Sequence, residues 1–251
     1  METKMMWGEE PELSGPRDYF RNSLLLREIE KNQKGKKILD FGAGSGHLIL
    51  RLLEKGNTCW GIDTSKVVID VLEEKVKGKF GNKVTTIKGD DKKLFKLTQK
   101  FDVVVSGEVL EHIKNEARAI EGFFKILKRD GICVVSVPAN KIYWDINDDF
   151  SGHYRRYSKN ELVELFRKSG FKILKAYYWG FPLSLIWHRL IYLKIIKNKI
   201  HMKKKYSGSK TFLGKLLQKG WLKNVLSHIF WLDELFNWTK LGGGFILVAK
   251  K

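Results

Sequence analysis

The sequence has few of the residues that cross-link or stiffen a small protein. Its 251 residues include only two cysteines and four prolines. Two cysteines cannot build a disulfide framework, and Cys59 and Cys133 each lie in an apolar run, so we expect buried thiols in a reducing compartment. No cysteine spacing matches a zinc knuckle.

Long apolar runs are missing as well. The longest candidate, 181–196, is interrupted by His188, Arg189 and Lys194, so it falls short of the roughly 18 apolar residues of a membrane-spanning helix. The N-terminus lacks a basic start followed by an apolar core, which argues against a secretory signal. These absences predict a cytoplasmic protein, either soluble or peripheral at the inner membrane face.

Acidic residues are too few to balance the basic ones. The chain has 47 Lys and Arg against 28 Asp and Glu, a formal net charge of +19. Such an excess leaves three kinds of partner open: nucleic acid, an anionic membrane surface, or an acidic small substrate.

Short apolar runs alternate along the chain with amphipathic segments of helical period. Strands are predicted at 37–41, 58–62, 84–88, 101–106, 131–137, 171–178 and 245–249, and helices at 47–55, 66–78, 115–127 and 158–169. Continuous apolar runs such as Val103-Val104-Val105 are typical of parallel strands buried on both faces. The alternation predicts an α/β fold with a doubly wound, Rossmann-like sheet.

Three regions differ in composition. Residues 1–35 are predicted to form an N-terminal helical cap, 36–180 and 241–251 the core, and 181–240 a basic, Trp-rich helical insertion before the last strand. Between Pro182 and Lys240 there are twelve Lys and Arg against two acids, and four of the eight tryptophans. More than half of the charge excess therefore lies in the insertion.

The strongest local signal is a glycine loop between the first strand and the next helix. The segment Asp40–Gly46 reads Asp-Phe-Gly-Ala-Gly-Ser-Gly. Glycines let the backbone turn tightly and let a ligand approach, while the following helix offers free N–H groups. The G-x-G-x-G spacing is not the G-x-G-x-x-G that seats a pyrophosphate, which argues against NAD or FAD.

Acidic residues end the next two strands. Asp63 follows Gly42 by 21 positions, where a carboxylate can accept hydrogen bonds from ribose hydroxyls; it could also cap the helix that follows. Asp90 and Asp91 end the third strand, where a carboxylate could accept from an adenine amino group. With the glycine loop, these acids predict a nucleoside pocket at the carboxyl ends of adjacent strands.

These motifs, together with the stretch Phe101–Ile113, resemble the class I S-adenosylmethionine-dependent methyltransferases, in the form shared by small-molecule and quinone-type members. The resemblance covers roughly residues 36–179 and 243–250. It implies a seven-stranded sheet with an antiparallel last strand, and S-adenosylmethionine as the cofactor. It also implies the residues that bind this cofactor: Asp40, Gly42, Gly44 and Gly46 at the methionine and ribose part, Asp63 at the ribose, Asp90 with its neighbour Asp91 at the adenine, Ser106, Gly107 and Glu108 near the sulfonium, and Tyr19 at the methionine end.

Two histidines are candidate general bases for a hydroxyl acceptor, His112 and His153. His112 lies beside Glu108 and Glu111, and in some quinone-pathway members the matching glutamates and histidine bind a divalent metal. The alternative is that Glu111 and His112 cap a helix and stiffen the loop. We predict no metal site in this chain.

The loop after the fifth strand resembles loops in methyltransferases of cell-surface glycan and lipid pathways. It contains the run Gly152–Tyr157, Gly-His-Tyr-Arg-Arg-Tyr, and would cover the substrate. Two arginines there could clamp a phosphate or carboxylate, or instead pair with Asp148 and Asp149. The predicted substrate-binding residues are Tyr143, Trp144, Tyr154, Arg155 and Arg156.

The resemblance implies methyl transfer to a small molecule, with an oxygen of a lipid-linked, sugar-containing or isoprenoid or quinone-like acceptor favoured. The insertion 181–240 fits an interfacial segment on an anionic membrane, or else an extra packed subdomain or a dimer interface. The alternative function is an RNA methyltransferase that uses this basic segment. Against it, Ser106–Val109 stands where such enzymes carry an Asn/Asp-Pro-Pro-Tyr type of loop.

Overall fold

The fold is built on one seven-stranded sheet. A computed structural model describes residues 15–31, 36–194, 196–197 and 220–251, with the backbone alone for 220–223. Along the sheet the strands run in the order β3-β2-β1-β4-β5-β7-β6, and β7 is antiparallel to both of its neighbours. The strands are β1 Lys37–Phe41, β2 Thr58–Asp63, β3 Val84–Lys88, β4 Phe101–Gly107, β5 Leu127–Pro138, β6 Lys172–Trp179 and β7 Gly244–Lys250.

The predicted sheet, including its antiparallel last strand, is confirmed. The largest difference in a strand boundary is at β5, which begins at Leu127 rather than at residue 131. After the buried Leu127, residues 128–130 are charged and exposed, so this part of the strand carries no apolar pattern. Phe101 pairs with Leu127, and the register then shifts before Val103 pairs with Ile132.

Helices connect the strands, and polar side chains cap several of them. The caps of α3, α5 and α7 are Ser65, Asn115 and Ser158, each accepting a hydrogen bond from a backbone N–H of the first turn. Helix α8 continues as a π-helical turn, His188–Tyr192, and α9 as a 3-10 helix, Phe230–Phe236. The helices are α1 Pro16–Glu30, α2 His47–Glu54, α3 Lys66–Val76, α4 Asp91–Leu94, α5 Glu116–Ile126, α6 Ile146–Ser151, α7 Lys159–Lys168, α8 Leu183–Trp187 and α9 Gly220–Ile229.

The apolar runs of the strands are buried on both faces of the sheet. Val104 belongs to the hydrophobic cluster on one face, and Val103 and Val105 to the cluster on the other. Successive residues of a strand point to opposite faces, so a run without polar alternation requires cover on both sides. Cys59 and Cys133 are buried free thiols within this sheet, as expected.

An aromatic cluster joins the N-terminal helix, the sheet and the insertion. The Phe20 ring of α1 makes edge contacts with Trp179 of β6 and with Phe230 and Trp231 of the insertion, at centroid distances of 6.0, 6.0 and 5.4 Å. Arg27 of α1 also pairs with Glu234. These contacts hold α1 and the described part of the insertion against one face of the sheet.

Part of the predicted insertion lies outside the described residues, namely residue 195, the lysine-rich 198–219 and the side chain of Trp221. Within the described part of the chain, none of the helices combines the length and apolarity needed to cross a bilayer.

Candidate active site

The glycine loop leaves β1 at Phe41 in a conformation that other residues rarely adopt. Gly42, Gly44 and Gly46 have φ of +79°, +51° and +79°. The N–H groups of Gly42 and Ala43 both donate to the Ile62 carbonyl oxygen, at 2.8 and 3.0 Å. A Cβ on Gly46 would lie 2.2 Å from the Leu72 side chain. The glycines therefore allow the loop to pack closely against β2 and α3.

Asp63 fastens this loop to the end of β2. One of its carboxylate oxygens accepts from the Gly44 N–H at 3.0 Å, and the other accepts from the Ser65 N–H at 2.9 Å. The residue that caps α3 is Ser65, so the alternative role of Asp63 as the helix cap is wrong. A carboxylate has about four acceptor positions, which leaves capacity for two ribose hydroxyls.

The floor of the loop holds buried polar groups. Asp40 is 4% exposed at the end of β1, and the Ser106 hydroxyl donates to the Phe41 carbonyl at 2.9 Å. The Ser45 hydroxyl is buried and has no hydrogen-bond partner among the described residues. An unsatisfied buried hydroxyl beside left-handed glycines and a helix N-terminus fits a ligand with its own polar groups. Tyr19 of α1 contacts α2, with the Arg51 guanidinium 4.6 Å from its ring centroid.

The two acids after β3 have different surroundings. Asp90 is exposed and caps α4, accepting from the Lys92 N–H at 3.1 Å. Asp91 is buried, and its carboxylate pairs with Arg118 of α5. Asp90 is thus the one of the two that faces solvent at this edge.

The loop after β4 begins with Gly107 and Glu108. A Cβ on Gly107 would lie 3.2 Å from Leu25 and 3.7 Å from the Arg21 Nε, so α1 rests against this position. Glu108 has a φ of +59°, and its carboxylate accepts from the Ser136 hydroxyl at 2.8 Å. The side chain of Glu108 is therefore held by β5.

Glu111 is the most unusual group of the site. It is fully buried, and neither carboxylate oxygen has a hydrogen-bond partner among the described residues. Burial, and then the charge of Glu108, raise the pKa of Glu111 well above its ordinary value. A buried carboxylate without a donor is costly when ionised, so the site favours a proton or a cation there.

Two histidines face Glu111. The His112 and His153 rings meet edge to face with their centroids 4.6 Å apart. Burial, with a smaller contribution from His153, lowers the pKa of His112 to about 3. The His153 Nδ1 lies 2.7 Å from the Asp148 carboxylate, which turns its Nε2 towards Glu111, 4.0 Å away.

This cluster has the donor set of a cation site. Glu111, His112 and His153 each bring one ligand atom to within 4.8 Å of the others. Carboxylate and imidazole ligands suit several divalent metals, and the Asp148 contact is the kind that orients a metal-binding histidine. The helix-cap alternative for Glu111 and His112 is not found, because α5 begins at Glu116 with Asn115 as its cap.

The paired arginines after β5 both have partners within the chain. Arg156 is buried and makes two 2.8 Å hydrogen bonds to Asp148. Arg155 pairs with Glu116 and donates to the Lys114 carbonyl at 3.1 Å. Of the alternatives, pairing with Asp148 is found for Arg156, and their role as a substrate clamp stays a prediction.

The other predicted substrate-binding residues lie at the surface of the same loop. The Tyr143 hydroxyl donates to the Leu241 carbonyl at 2.9 Å, and the Trp144 indole donates to Asp149 at 2.9 Å. Tyr154 is exposed, and its N–H donates to the Glu111 carbonyl at 2.8 Å.

Some residues near the site were not predicted from the sequence. Arg17 and Arg21 come from α1, and His188 comes from the helical turn after α8, where its Nε2 lies 2.9 Å from the Asp145 carboxylate. In the sequence, the signal that could have indicated them was a histidine or arginine within an otherwise apolar helical segment. Their common position depends on how α1 and the insertion pack.

A scan of known families matches residues 15–176 to a methyltransferase domain. The matched range covers well over half of the chain. The chain belongs to this methyltransferase family.

Individual relatives agree with this assignment. An uncharacterized methyltransferase from Oceanobacillus iheyensis is 29% identical over 152 residues, 60% of this chain and 62% of that protein. A ubiquinone biosynthesis O-methyltransferase from Pelagibacter ubique is 33% identical over 115 residues, 44% of this chain and 45% of that protein. The alignments thus span between two fifths and two thirds of these relatives.

Solved structures show the same fold. Phosphoethanolamine N-methyltransferase 2 from Haemonchus contortus, in complex with S-adenosyl-L-methionine, superposes with a TM-score of 0.61 at 19% identity, over 92% of this chain and 52% of that one. With this fold and this family, the chain carries a methyltransferase domain of the kind that uses S-adenosylmethionine.

The first prediction concerns Asp63. In Asp63→Asn, one of the two backbone N–H groups that donate to the carboxylate would face the amide NH₂ instead. The glycine loop or the start of α3 then loses a hydrogen bond to the end of β2. We expect the affinity for S-adenosylhomocysteine in isothermal titration to fall at least about tenfold, or roughly 1.4 kcal/mol. Asp70→Asn, on the exposed face of α3, should bind as the wild type does. Equal affinity for Asp63→Asn would refute the predicted pocket.

The second prediction concerns the pH dependence of stability at Glu111. The folded protein retains a proton on Glu111 that the unfolded chain loses as pH rises above the ordinary pKa of 4.5. The contribution of Glu111 to stability should therefore fall with rising pH above that value, by about 1.4 kcal/mol per pH unit until the folded pKa is reached. Glu111→Gln removes this loss, so its free energy of unfolding should gain on the wild type between pH 4.5 and 7, measured with urea in EDTA.

The control is Glu164→Gln, at an exposed glutamate of α7 that pairs with Arg167, which should change the free energy of unfolding by no more than about 0.5 kcal/mol. A flat difference for Glu111→Gln would contradict the prediction. Repeating the series with divalent cations tests the metal: bound metal would raise the wild-type midpoint and leave that of Glu111→Gln unchanged. If the chain binds no metal, as its sequence predicts, divalent cations should not shift the wild-type midpoint.

Proposed function

We propose that the chain transfers a methyl group to an oxygen of a small-molecule acceptor, with His153 as the general base. The observation that carries this proposal is the Asp148–His153 pair. An aspartate on Nδ1 holds the imidazole in one tautomer and orientation, which leaves Nε2 unprotonated and able to take a proton.

The chemistry divides between cofactor and protein. When bound, S-adenosylmethionine supplies an electrophilic methyl group on a sulfonium sulfur. The chain's residues must place the acceptor hydroxyl in line with that methyl group and exclude water. As the oxygen–carbon bond forms and the carbon–sulfur bond breaks, the hydroxyl proton passes to the His153 Nε2.

The surroundings of the two histidines make them unequal as proton acceptors. The lowered pKa of His112 keeps that ring neutral and makes it a poor proton acceptor. His153 has the orienting carboxylate, and its side chain is 8% exposed. An oxygen acceptor is further supported by the ubiquinone biosynthesis O-methyltransferases among the relatives.

The test is a homocysteine-release assay with a library of phenols, hydroxylated quinone precursors and sugar-containing lipids. His153→Ala should lower kcat roughly 10²- to 10⁴-fold while S-adenosylhomocysteine affinity is unchanged. His228→Ala changes an exposed histidine of α9 and should turn over normally. Unchanged turnover of His153→Ala would remove the general base, and turnover only of RNA would favour the alternative function.

We also propose that the insertion contacts an anionic membrane, from which a lipid-linked acceptor would be drawn. Among the described residues, nine of the fourteen exposed large hydrophobic side chains lie between Ile186 and Leu241. Val225, Ile229 and Leu232 are spaced to share one helical face. Leu235 is 69% exposed and Trp238 is 84% exposed. Apolar side chains next to a lysine-rich segment suit the interface of an anionic bilayer.

Vesicle flotation tests this contact. The wild type should float with vesicles containing phosphatidylglycerol and much less with pure phosphatidylcholine. Leu235→Asp should reduce binding severalfold, because it places a charge in the apolar surface. Leu174→Asp, at a residue of β6 that is 49% exposed, makes the same change elsewhere and should bind normally. Equal flotation of both variants would count against the membrane contact, and an RNA gel shift in its place would favour the alternative.

A further inference from the structure

A second concave site lies beside the candidate active site, between α1, the loop after β5 and the start of the insertion. Its enclosed volume is about 10 Å³, room for roughly one water, and the rest of the site is open to solvent. We call it the arginine pocket. The residues that define it are Arg17, Asp145, Arg156, His188, Arg189 and Gly243.

Two of its arginines have no anionic partner within the described chain. The Arg17 guanidinium lies 4.8 Å from the ring centroid of the buried Trp179, and that of Arg189 lies 5.4 Å from the ring centroid of Tyr143. Neither group makes an ion pair or hydrogen bond with a described residue. Stacking on an aromatic ring holds a guanidinium in place while its N–H edge stays available for an oxyanion.

A buried histidine also lines this pocket. His188 is 7% exposed, and its Nδ1 has no hydrogen-bond partner among the described residues. Its Nε2 is held by Asp145, whose other oxygen accepts from the Asn147 N–H at 2.8 Å. The carboxylate of Asp145 is therefore bonded on both oxygens and does not neutralise the two arginines by direct contact.

The acidic groups around the pocket have direct partners of their own. Arg156 binds Asp148, and Asp145 binds His188 and the Asn147 N–H. Asp233 interacts electrostatically with Arg17, but its carboxylate accepts from the Leu183 and Ser184 N–H groups. The guanidinium groups of Arg17 and Arg189 therefore remain available for hydrogen bonding. Unpaired guanidinium groups held on aromatic rings are the chemistry that recognises a phosphate or carboxylate.

We infer that the arginine pocket binds the phosphate or carboxylate group of the methyl acceptor, with Arg17 and Arg189 as its cationic contacts. This inference rests on the proposed function, and it assigns the anion to residues other than Arg155 and Arg156. The partners of those two arginines within the chain leave them less able to take a ligand.

The pocket is connected to the proposed general base. Arg156 lines the pocket and binds Asp148, and Asp148 in turn orients His153. On α1, Arg17 lies one helical turn before Arg21, which lies beside Gly107. An anionic group in the pocket would therefore place the rest of a small acceptor towards the loop after β4.

The test is isothermal titration of the S-adenosylhomocysteine complex with phenyl phosphate, benzoate and inorganic phosphate. We expect phenyl phosphate or benzoate to bind, with an affinity at least about tenfold weaker in both Arg17→Gln and Arg189→Gln. Arg17→Lys, which keeps the charge but loses the planar fork, should lie between. The matched control, Arg129→Gln, removes an exposed arginine at the start of β5, the opposite edge of the sheet, and should bind as the wild type does.

The outcomes separate this inference from the proposed function. Wild-type protein that binds S-adenosylhomocysteine but neither organic anion would overturn the arginine pocket and leave methyl transfer standing. Equal affinity in the wild type and in both Gln variants would overturn it as well. Inorganic phosphate binding as tightly as phenyl phosphate would refute the assignment to the acceptor. Failure to bind S-adenosylhomocysteine would instead refute the cofactor site.

Discussion

The carboxylate of Asp148 is the contact on which the proposed acceptor side of the site depends. It is fully buried, and it accepts two hydrogen bonds from Arg156 and lies 2.7 Å from the His153 Nδ1. Hydrogen bonds from both partners keep the pKa of Asp148 low, near 2, although burial alone would raise it. A permanently charged group at this point can hold the loop after β5 and orient an imidazole at the same time.

Such a group is stable only where the fold surrounds it. The loop is tied to the sheet through the Ala139 carbonyl, which accepts from Arg156, and through the Tyr157 N–H, which donates to the Pro138 carbonyl. Removing either partner of a buried ion pair leaves an uncompensated charge, which costs roughly 3–5 kcal/mol. The same contacts that allow proton transfer at His153 therefore also stabilise the loop that covers the site.

The opposite wall depends on aromatic packing rather than on charge. Phe20 and Trp179 hold α1 against one face of the sheet, and Arg17 and Arg21 reach the site because they lie on this helix. Phe230 and His188 of the insertion complete this wall. Basic residues that are far apart along the chain are thus brought together by apolar contacts.

Sequence alone determined the sheet and predicted the cofactor side of the site. Each of these features is local: apolar runs mark strands, and a glycine loop or an acid at a strand end has its position defined by the strand beside it. Tertiary structure decided the rest. Glu111 and His153 come from different loops, as do Asp145 and His188. Whether each pair meets depends on packing between distant segments, which no local pattern records. For the same reason, the partners of Arg155 and Arg156, and the absence of such partners for Arg17 and Arg189 within the described chain, emerge only once the chain has folded.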